Sequence, residues 1–295
     1  MPFLQIHLSL DDLDPELVEA ACSETGAIAV TLRDAGDEPI LEPAPGATPL
    51  WPRIALSALY PAELDPAAVA ARLRSLLEAP ALAVTHELLA DRQWEREWLK
   101  DFRPMRFGRR LWICPGGQPP PLAPGDPEPV IVWLDPGLAF GTGTHPTTAL
   151  CLEWLDGAAL AGRTVVDVGC GSGVLAIAAL RLGAASALAV DIDPQALIAT
   201  RENAARNAVA AHLRVHAAEL GFGAAAEVVL ANILAEPLIA LAPHLGAATL
   251  RGGWLVLSGL LSAQAEAVAS ACGPWFDMEP PREREGWVGL VGRRR

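Results

Sequence analysis

A glycine-rich turn is the feature that most constrains how this chain can fold. The apolar run V-V-D-V at 165–168 leads into glycines at 169, 171 and 173, and an alanine- and leucine-rich stretch follows. This pattern predicts a strand, a tight turn and a helix, with glycine where a side chain would hold a ligand away from the backbone. The next acidic residue at a predicted strand end is Asp191, 22 residues after Gly169. A βαβ nucleotide site places there the carboxylate that accepts hydrogen bonds from the ribose hydroxyls.

The spacing of the glycines separates two cofactor classes that share this layout. A dinucleotide fingerprint, G-x-G-x-x-G, requires glycine at the position of Val174, whereas this chain has G-x-G-x-G. A dinucleotide rests its pyrophosphate on the helix N-terminus. S-adenosylmethionine carries no phosphate, and its methionine part lies over the glycine turn. The spacing therefore favours S-adenosylmethionine over NAD. The simpler alternative is a turn that is tightly packed and binds nothing.

Predicted strands and helices alternate from Arg163 to the end of the chain. The predicted strands are 164–168, 187–191, 212–217, 226–231, 252–258, 275–281 and 286–292. This alternation predicts a doubly wound, mostly parallel α/β sheet whose last two strands form an antiparallel hairpin. Ligands bind at the carboxyl ends of the strands in such sheets, and Asp167, Gly169, Asp191 and Asn232 all lie at predicted strand ends.

A different pattern precedes this region. Residues 1–90 follow the order β-α-β-β-α-β, which predicts a ferredoxin-like α+β domain with no catalytic constellation of its own. We interpret this domain as a substrate-recognition module, and the alternative is a purely structural role. For residues 91–103 we predict a short helical linker, in which Trp94 and Trp98, four residues apart, lie on one face. Residues 104–295 then form the predicted catalytic domain.

Charge and cysteine content limit the partner and the compartment. The formal net charge of −13 disfavours direct nucleic-acid binding, which requires a basic face, and it fits a basic protein or an amine as substrate. The five cysteines are scattered and contain no C-x-x-C pair, which indicates reduced thiols rather than a disulfide framework or a zinc site. No secretory leader or membrane span is visible, so we expect a cytoplasmic protein, and we expect a monomer.

Two further polar positions lie close to the predicted cofactor turn. The loop D-P-G-L-A-F-G-T-G-T-H-P-T-T at 135–148 ends at a predicted helix. Its Thr147 or Thr148 is placed either to cap that helix or to border a ligand on the glycine turn. Asn232 ends the predicted strand 226–231, where its amide can accept a hydrogen bond from an amine without carrying charge. The alternative role for Asn232 is to cap the following helix.

Five other candidate residues are set aside. His212 and His216 alternate with apolar residues as in a strand and lack a third ligand, so no metal site is predicted. His145 has no acidic partner nearby in the sequence. Ser172 lacks the strand context and the partner residues of a hydrolase nucleophile. Cys170 is interpreted as a small packing residue rather than a nucleophile.

Three runs together resemble the PrmA family of class I methyltransferases. They are Q-W-E-R-E-W at 93–98, L-A-F-G-T-G-T-H-P-T-T at 138–148 and D-V-G-C-G-S-G-V-L-A-I-A-A at 167–179. The resemblance covers nearly the whole chain and implies a Rossmann-like catalytic domain. It also implies S-adenosylmethionine-dependent methylation of ribosomal protein L11, at the N-terminal α-amine and at lysine side chains.

The resemblance also implies which residues act. Carried over position by position, the family's cofactor residues correspond to Thr148, Gly169, Asp191 and Asn232, and each residue type matches. Gly171 of the same turn completes the predicted cofactor-binding set, and Asn232 is also the predicted catalytic residue. The N-terminal domain would hold L11 while the linker lets the catalytic domain reach several targets. No general base is required, because a neutral amine attacks the methyl group directly.

Other functions are compatible with the same residues. A class I methyltransferase of this kind could act on a small molecule or on a different protein. A non-catalytic module could bind a nucleoside or a ribosome-assembly partner, and it would then show cofactor affinity without turnover. An NAD-dependent dehydrogenase is the weakest alternative, because Val174 interrupts the dinucleotide fingerprint.

Overall fold

The chain divides into two compact units, Met1–Glu97 and Trp98–Arg295. The computed structural model describes residues 2–10, 13–36, 40, 48–89, 103–134 and 145–295. Residues 91–102 of the predicted linker helix and most of the loop 135–148 therefore lie outside the described residues. Within the described part of the chain, every helix is too short or too polar to cross a lipid bilayer.

The first unit is a four-stranded antiparallel sheet with two helices. Its elements are β1 (Phe3–Ser9), α1 (Pro15–Glu24), β2 (Ala29–Asp34), β3 (Ile54–Pro61), α2 (Pro66–Leu76) and β4 (Val84–Leu89). The strand order β2-β3-β1-β4 is that of a ferredoxin-like domain, as predicted. The last strand, which completes the predicted order, begins at Val84.

Local sequence signals explain both helices of this unit. Asp14 and Asp65 are the N-caps, each followed by proline at the first helical position. The Asp14 carboxylate accepts a hydrogen bond from Glu16 N at 2.9 Å, and that of Asp65 accepts one from Ala67 N at 3.1 Å. Alternate residues of β1 are buried against the helices, which gives the unit its own core.

The second unit contains two sheets. Its strands are β5 (Met105–Phe107), β6 (Leu111–Cys114), β7 (Val130–Trp133), β8 (Thr164–Val168), β9 (Ser186–Asp191), β10 (Leu213–Ala217), β11 (Ala226–Asn232), β12 (Thr249–Leu261), β13 (Phe276–Met278), β14 (Arg282–Arg284) and β15 (Trp287–Arg294). Its α-helices are α3 (Pro146–Gly157), α4 (Val174–Arg181), α5 (Pro194–Arg206), α6 (Ala235–Ala248) and α7 (Ala265–Cys272). Short 3₁₀ turns occur at Ala210–His212, Ala218–Leu220 and Ser262–Gln264.

The larger sheet has the doubly wound order β10-β9-β8-β11-β12-β15-β13, and β14 pairs with β15. Strands β8 to β12 are parallel, and the last strands are antiparallel, as the alternation predicts. The chain leaves β8 toward β9 on one side and returns to β11 on the other. The carboxyl ends of β8 and β11 therefore flank the topological switch point, which is where sheets of this type bind ligands.

Both faces of this sheet are covered. Val165 packs into a core with helices α3, α4 and α5, whereas its neighbour Val166 packs into a second core with α6 and α7. Successive strand residues point to opposite faces of the sheet, so one apolar strand contributes side chains to both cores. Helix α6 runs from Ala235 to Ala248 and includes Pro243.

Candidate active site

The glycine turn after β8 needs glycine for conformational reasons. Gly169, Gly171 and Gly173 have φ angles of 74°, 53° and 79°, in the left-handed region that side chains disfavour. A Cβ on Gly169 would overlap the Cγ2 atom of Ile233, and one on Gly173 would lie 2.8 Å from Thr200 Cγ2. The fold itself therefore excludes a side chain at 169 and 173, in addition to the close ligand approach that the sequence predicts.

Asp191 ties this turn to the end of the neighbouring strand. One carboxylate oxygen accepts a hydrogen bond from Gly171 N at 2.9 Å, and the other accepts one from Asp193 N at 3.0 Å. Gly169 N also donates to Val190 O at 2.9 Å. Each carboxylate oxygen has a second lone-pair site, so Asp191 retains the capacity to accept two further hydrogen bonds.

Thr148 and Asn232 meet on the other side of the switch point. Asn232 ends β11 and donates a hydrogen bond from Nδ2 to Thr148 Oγ1 at 3.3 Å. Thr148 is buried in the first turn of α3. The suggested capping roles are wrong for both residues. His145 is the N-cap of α3, and Leu234 occupies the N-cap position of α6 without a side-chain hydrogen bond.

These residues surround one cavity of about 640 Å³ at the carboxyl ends of the strands. All five predicted site residues line it, namely Thr148, Gly169, Gly171, Asp191 and Asn232. The other walls of the cavity are not predicted from the sequence, and they include Ile192, Ala218, Glu219, Phe222, Ile233, Leu234, Pro237, Leu241 and His244. Several of these follow directly after β9, β10 or β11, so the rule that ligands bind at strand ends could have found them.

The cavity fits S-adenosylmethionine better than a dinucleotide. Its volume lies in the range of roughly 300–1,000 Å³ that is usual for small-molecule sites, and apolar side chains dominate the lining. The charged lining residues are Asp191 and Glu219, and no lysine or arginine of the described chain lines the cavity. Negative charge in a partly dry cavity attracts a sulfonium or ammonium cation and repels the phosphates of a dinucleotide.

Comparison with known proteins decides the family. The profile of the ribosomal protein L11 methyltransferase (PrmA) family matches residues 2–295. The chain belongs to this family. A protein of Pseudomonas aeruginosa named ribosomal protein L11 methyltransferase is 53% identical over 297 residues, which span 100% of this chain and 99% of that protein. A protein of the same name from Serratia proteamaculans is 50% identical over 300 residues, with full coverage of both chains.

A solved structure agrees with the PrmA assignment. The crystal structure of a ribosomal protein L11 methylase from Lactobacillus delbrueckii subsp. bulgaricus is 34% identical, with a TM-score of 0.59. It covers 66% of this chain and 100% of that chain. The predictions of a PrmA-family methyltransferase, of its Rossmann-like fold and of S-adenosylmethionine as its cofactor are confirmed. The roles of the five site residues stay predictions.

Strand β8, which leads into the glycine turn, contains a buried acid that the predicted site does not use. Asp167 is 1% exposed and accepts one hydrogen bond, from Ala176 N at 3.1 Å. Its other oxygen has no hydrogen-bond partner among the described residues. Burial raises the pKa of the Asp167 carboxyl from 3.8 to about 7, the negative charge of Asp191 adds to the rise, and the Ala176 hydrogen bond opposes it.

The substitution Asp167→Asn is therefore expected to change how stability depends on pH. Because the folded pKa exceeds the unfolded one, the wild-type protein loses stability as the pH rises from about 4 to 7, by up to about 1.4 kcal/mol per pH unit. The asparagine variant has no proton to lose at this position. Denaturant unfolding of both proteins between about pH 4 and pH 8 measures the effect. A difference between them that is constant with pH would contradict this account.

Three of the residues set aside in the sequence, Cys170, Ser172 and His145, have packing or hydrogen-bonding roles in this PrmA-family fold. Burial raises the pKa of the Cys170 thiol to about 12, so it is not a thiolate at neutral pH. The Ser172 hydroxyl accepts a hydrogen bond from Val174 N at 3.3 Å. His145 packs edge-on against Trp287, with ring centroids 4.7 Å apart. No group of three His, Cys, Asp or Glu side chains in the described ranges is arranged to hold a metal.

Proposed function

We propose that this protein transfers methyl groups from S-adenosylmethionine to amines of ribosomal protein L11. The observation that carries the proposal is the acidic cavity at the switch point, in which Thr148, Gly169, Asp191 and Asn232 converge without a lysine or arginine among its described lining residues. The relatives that match this chain over their full length carry the name ribosomal protein L11 methyltransferase, which supports L11 as the substrate.

The cofactor-binding roles follow from the hydrogen bonds around the turn. When bound, S-adenosylmethionine supplies an electrophilic methyl group on a positively charged sulfur. The Asp191 carboxylate accepts the hydrogen bonds of the two ribose hydroxyls with its remaining lone pairs. Because Gly169 and Gly171 have no side chains, their backbone atoms can contact the methionine part of the cofactor directly. The Asp191 hydrogen bond to Gly171 N makes the carboxylate and the turn a single rigid support.

Asn232 is proposed as the catalytic residue because the geometry orients its amide. Its Nδ2 donates to Thr148 Oγ1 at 3.3 Å, so its carbonyl oxygen is left to accept a hydrogen bond from the substrate amine. The apolar walls next to it, Ile233, Leu234 and Pro237, lower the pKa of an amine that enters, from about 10.4 for a free lysine. The amide then aligns the neutral nitrogen for in-line attack, which is a positioning contribution.

The first unit is proposed to bind the L11 substrate. It has its own core and its own sheet, and the catalytic residues proposed here all belong to the second unit. The net charge of −13 supports a basic partner.

We further propose that residues 91–103 act as a helical linker that lets several amines of L11 reach one site. We also propose that the protein is cytoplasmic and that it acts as a monomer, and light scattering in solution would test the oligomeric state.

Labelled S-adenosylmethionine and purified L11 provide the direct test. We expect label on L11, and mass spectrometry should locate it at the N-terminal α-amine and on lysine side chains. A variant without residues 1–90 should lose L11 methylation and keep cofactor binding. Cofactor binding without any label on L11 would contradict the proposed substrate. Methylation of L11 by the shortened variant would contradict the role of the first unit.

Removing the Asn232 amide is expected to lower kcat by roughly a hundredfold, which is typical of losing one oriented polar group from a reaction site. Asn232→Ala should leave S-adenosylmethionine affinity within a few-fold of wild type if the amide mainly orients the amine. Thr148→Ser is the matched control, since it keeps the hydroxyl that accepts from Asn232 Nδ2. Single-turnover kinetics and calorimetry separate the two effects. A loss of cofactor affinity with unchanged kcat would move Asn232 out of the catalytic role.

A further inference from the structure

A second cavity of about 420 Å³ lies at the opposite end of the large sheet. It is lined by the end of α3, by Arg163 just before β8, by Val228 near the start of β11, and by Trp254 on β12. The candidate active site occupies the carboxyl ends of β8, β9 and β11, so the parallel strands separate the two cavities. Its lining residues are Glu153, Trp154, Gly157, Ala158, Ala159, Leu160, Arg163, Val228, Trp254, Arg282 and Arg293.

The charges of this second cavity leave two arginines unpaired. Arg163 forms an ion pair with Glu227 at 2.9 Å and donates to Ala159 O at 2.8 Å. The Glu153 carboxylate is paired with Arg284 at 2.7 Å, on the rim of the cavity. The side chains of Arg282 and Arg293 make no ion pair or hydrogen bond with any described residue, and both are exposed. The cavity is therefore locally positive in a chain whose net charge is −13.

Two tryptophan rings also line this second cavity. Trp154 and Trp254 pack edge to face, with ring centroids 6.0 Å apart and an interplanar angle of 67°. The Arg293 guanidinium lies over the Trp254 ring, 4.4 Å from its centroid. This stacking holds a planar cation in place without using its N–H donors. The free face of a guanidinium held in this way can stack on a second planar ring. The N–H groups at its edge can donate hydrogen bonds to an anion.

We propose that this second cavity binds a nucleoside monophosphate. The tryptophan and guanidinium planes provide a stacking surface for the base, and Arg282 and Arg293 provide donors for the phosphate. The volume of about 420 Å³ is within the usual range for small ligands. A phosphate alone would use the arginine N–H groups and leave the outer face of the Arg293 guanidinium without a stacking partner, whereas a nucleoside alone would leave both arginines without a counter-ion.

The carbonyl groups at the end of α3 do not cancel this positive charge. A helix C-terminus disfavours an anion. Here Ala158 N donates to Leu155 O in the last turn of α3, and Arg163 Nε donates to Ala159 O just beyond the helix, so these two carbonyl oxygens are already engaged. Glu153 is neutralised by Arg284. The two unpaired arginines therefore set the sign of the potential in the cavity.

Calorimetric titration of the full chain with AMP tests the proposal, with adenosine and inorganic phosphate as separate titrants. We expect AMP to bind more tightly than either fragment. Arg282→Ala and Arg293→Ala should each weaken AMP binding at least about tenfold, the loss expected for a charge-assisted hydrogen bond. Arg251→Ala is the matched control, because Arg251 is exposed on the same strand as Trp254 and does not line the cavity. It should leave AMP affinity unchanged.

Asp191→Asn separates this cavity from the candidate active site, where the adenosine part of AMP could also bind. AMP binding that survives Asp191→Asn and is lost in Arg282→Ala supports the proposal. AMP binding lost in Asp191→Asn and kept in Arg282→Ala would overturn it, and so would the absence of AMP binding at millimolar concentration. Phosphate that binds as tightly as AMP would overturn the stacking role of the rings, and circular dichroism of each variant verifies its fold.

Discussion

The substitution Asp191→Asn is expected to weaken S-adenosylmethionine binding by about two orders of magnitude or more. The carboxylate would accept two hydrogen bonds from the ribose, and each bond to a charged group contributes roughly 1.5–3 kcal/mol. Asparagine has one acceptor oxygen, and its NH₂ group would face a backbone donor, either Gly171 N or Asp193 N. The variant therefore also loosens the support of the glycine turn. Calorimetric titration with S-adenosylmethionine measures the loss.

Asp193→Asn is the matched control for this experiment. Asp193 lies two residues away, and its side chain is exposed and accepts a hydrogen bond from Gln195 N at 2.9 Å as the N-cap of α5. The control removes the same charge at nearly the same place and keeps a capping acceptor. We expect its cofactor affinity to stay within about threefold of wild type. Equal losses in both variants would show that general electrostatics, and not the ribose contact, causes the effect.

The cofactor turn was predictable because its signals are local and strictly spaced. Glycine at 169, 171 and 173 and an acid at 191 follow from one βαβ unit, and the structure brings Gly171 and Asp191 within a hydrogen bond. Thr148 and Asn232 were identified by resemblance and by their position at an element end. Their mutual hydrogen bond depends on the order of the sheet, which places α3 beside β11.

Other features were not predictable because their causes are distant in sequence. The need for glycine at 169 depends partly on Ile233, which reaches it from the end of β11. The cap of α3 was missed because threonine is a preferred N-cap and histidine is not, yet His145 occupies the position. Strand β7 has four residues, too few for a clear periodicity. Trp154, Trp254 and Arg293 form one cavity only because of the sheet register.

The substitution Gly169→Ala is expected to destabilise the second unit by roughly 2–5 kcal/mol, the sum of a backbone and a packing effect. A φ of 74° costs an alanine about 1–2 kcal/mol, since its Cβ crowds the following carbonyl. The same Cβ would overlap Ile233 Cγ2, so either the turn or Asn232 beside Ile233 must move. Denaturant unfolding measures the stability, and a methyl-transfer assay is expected to show almost no activity.

Two further variants separate these effects. The chain contains a second glycine with nearly the same φ angle, at which an added Cβ would have no close neighbour. Gly162 has a φ of 75°, and an added Cβ there meets nothing within 4 Å, so Gly162→Ala should cost only the backbone term. In an Ile233→Ala background the overlap disappears, since Ile233 Cβ lies 3.8 Å from the added atom. Gly169→Ala should then cost about as much as Gly162→Ala, which is a coupling expected only of residues in contact. An unchanged cost in that background would show that strain within the turn, and not the contact with Ile233, excludes a side chain at 169.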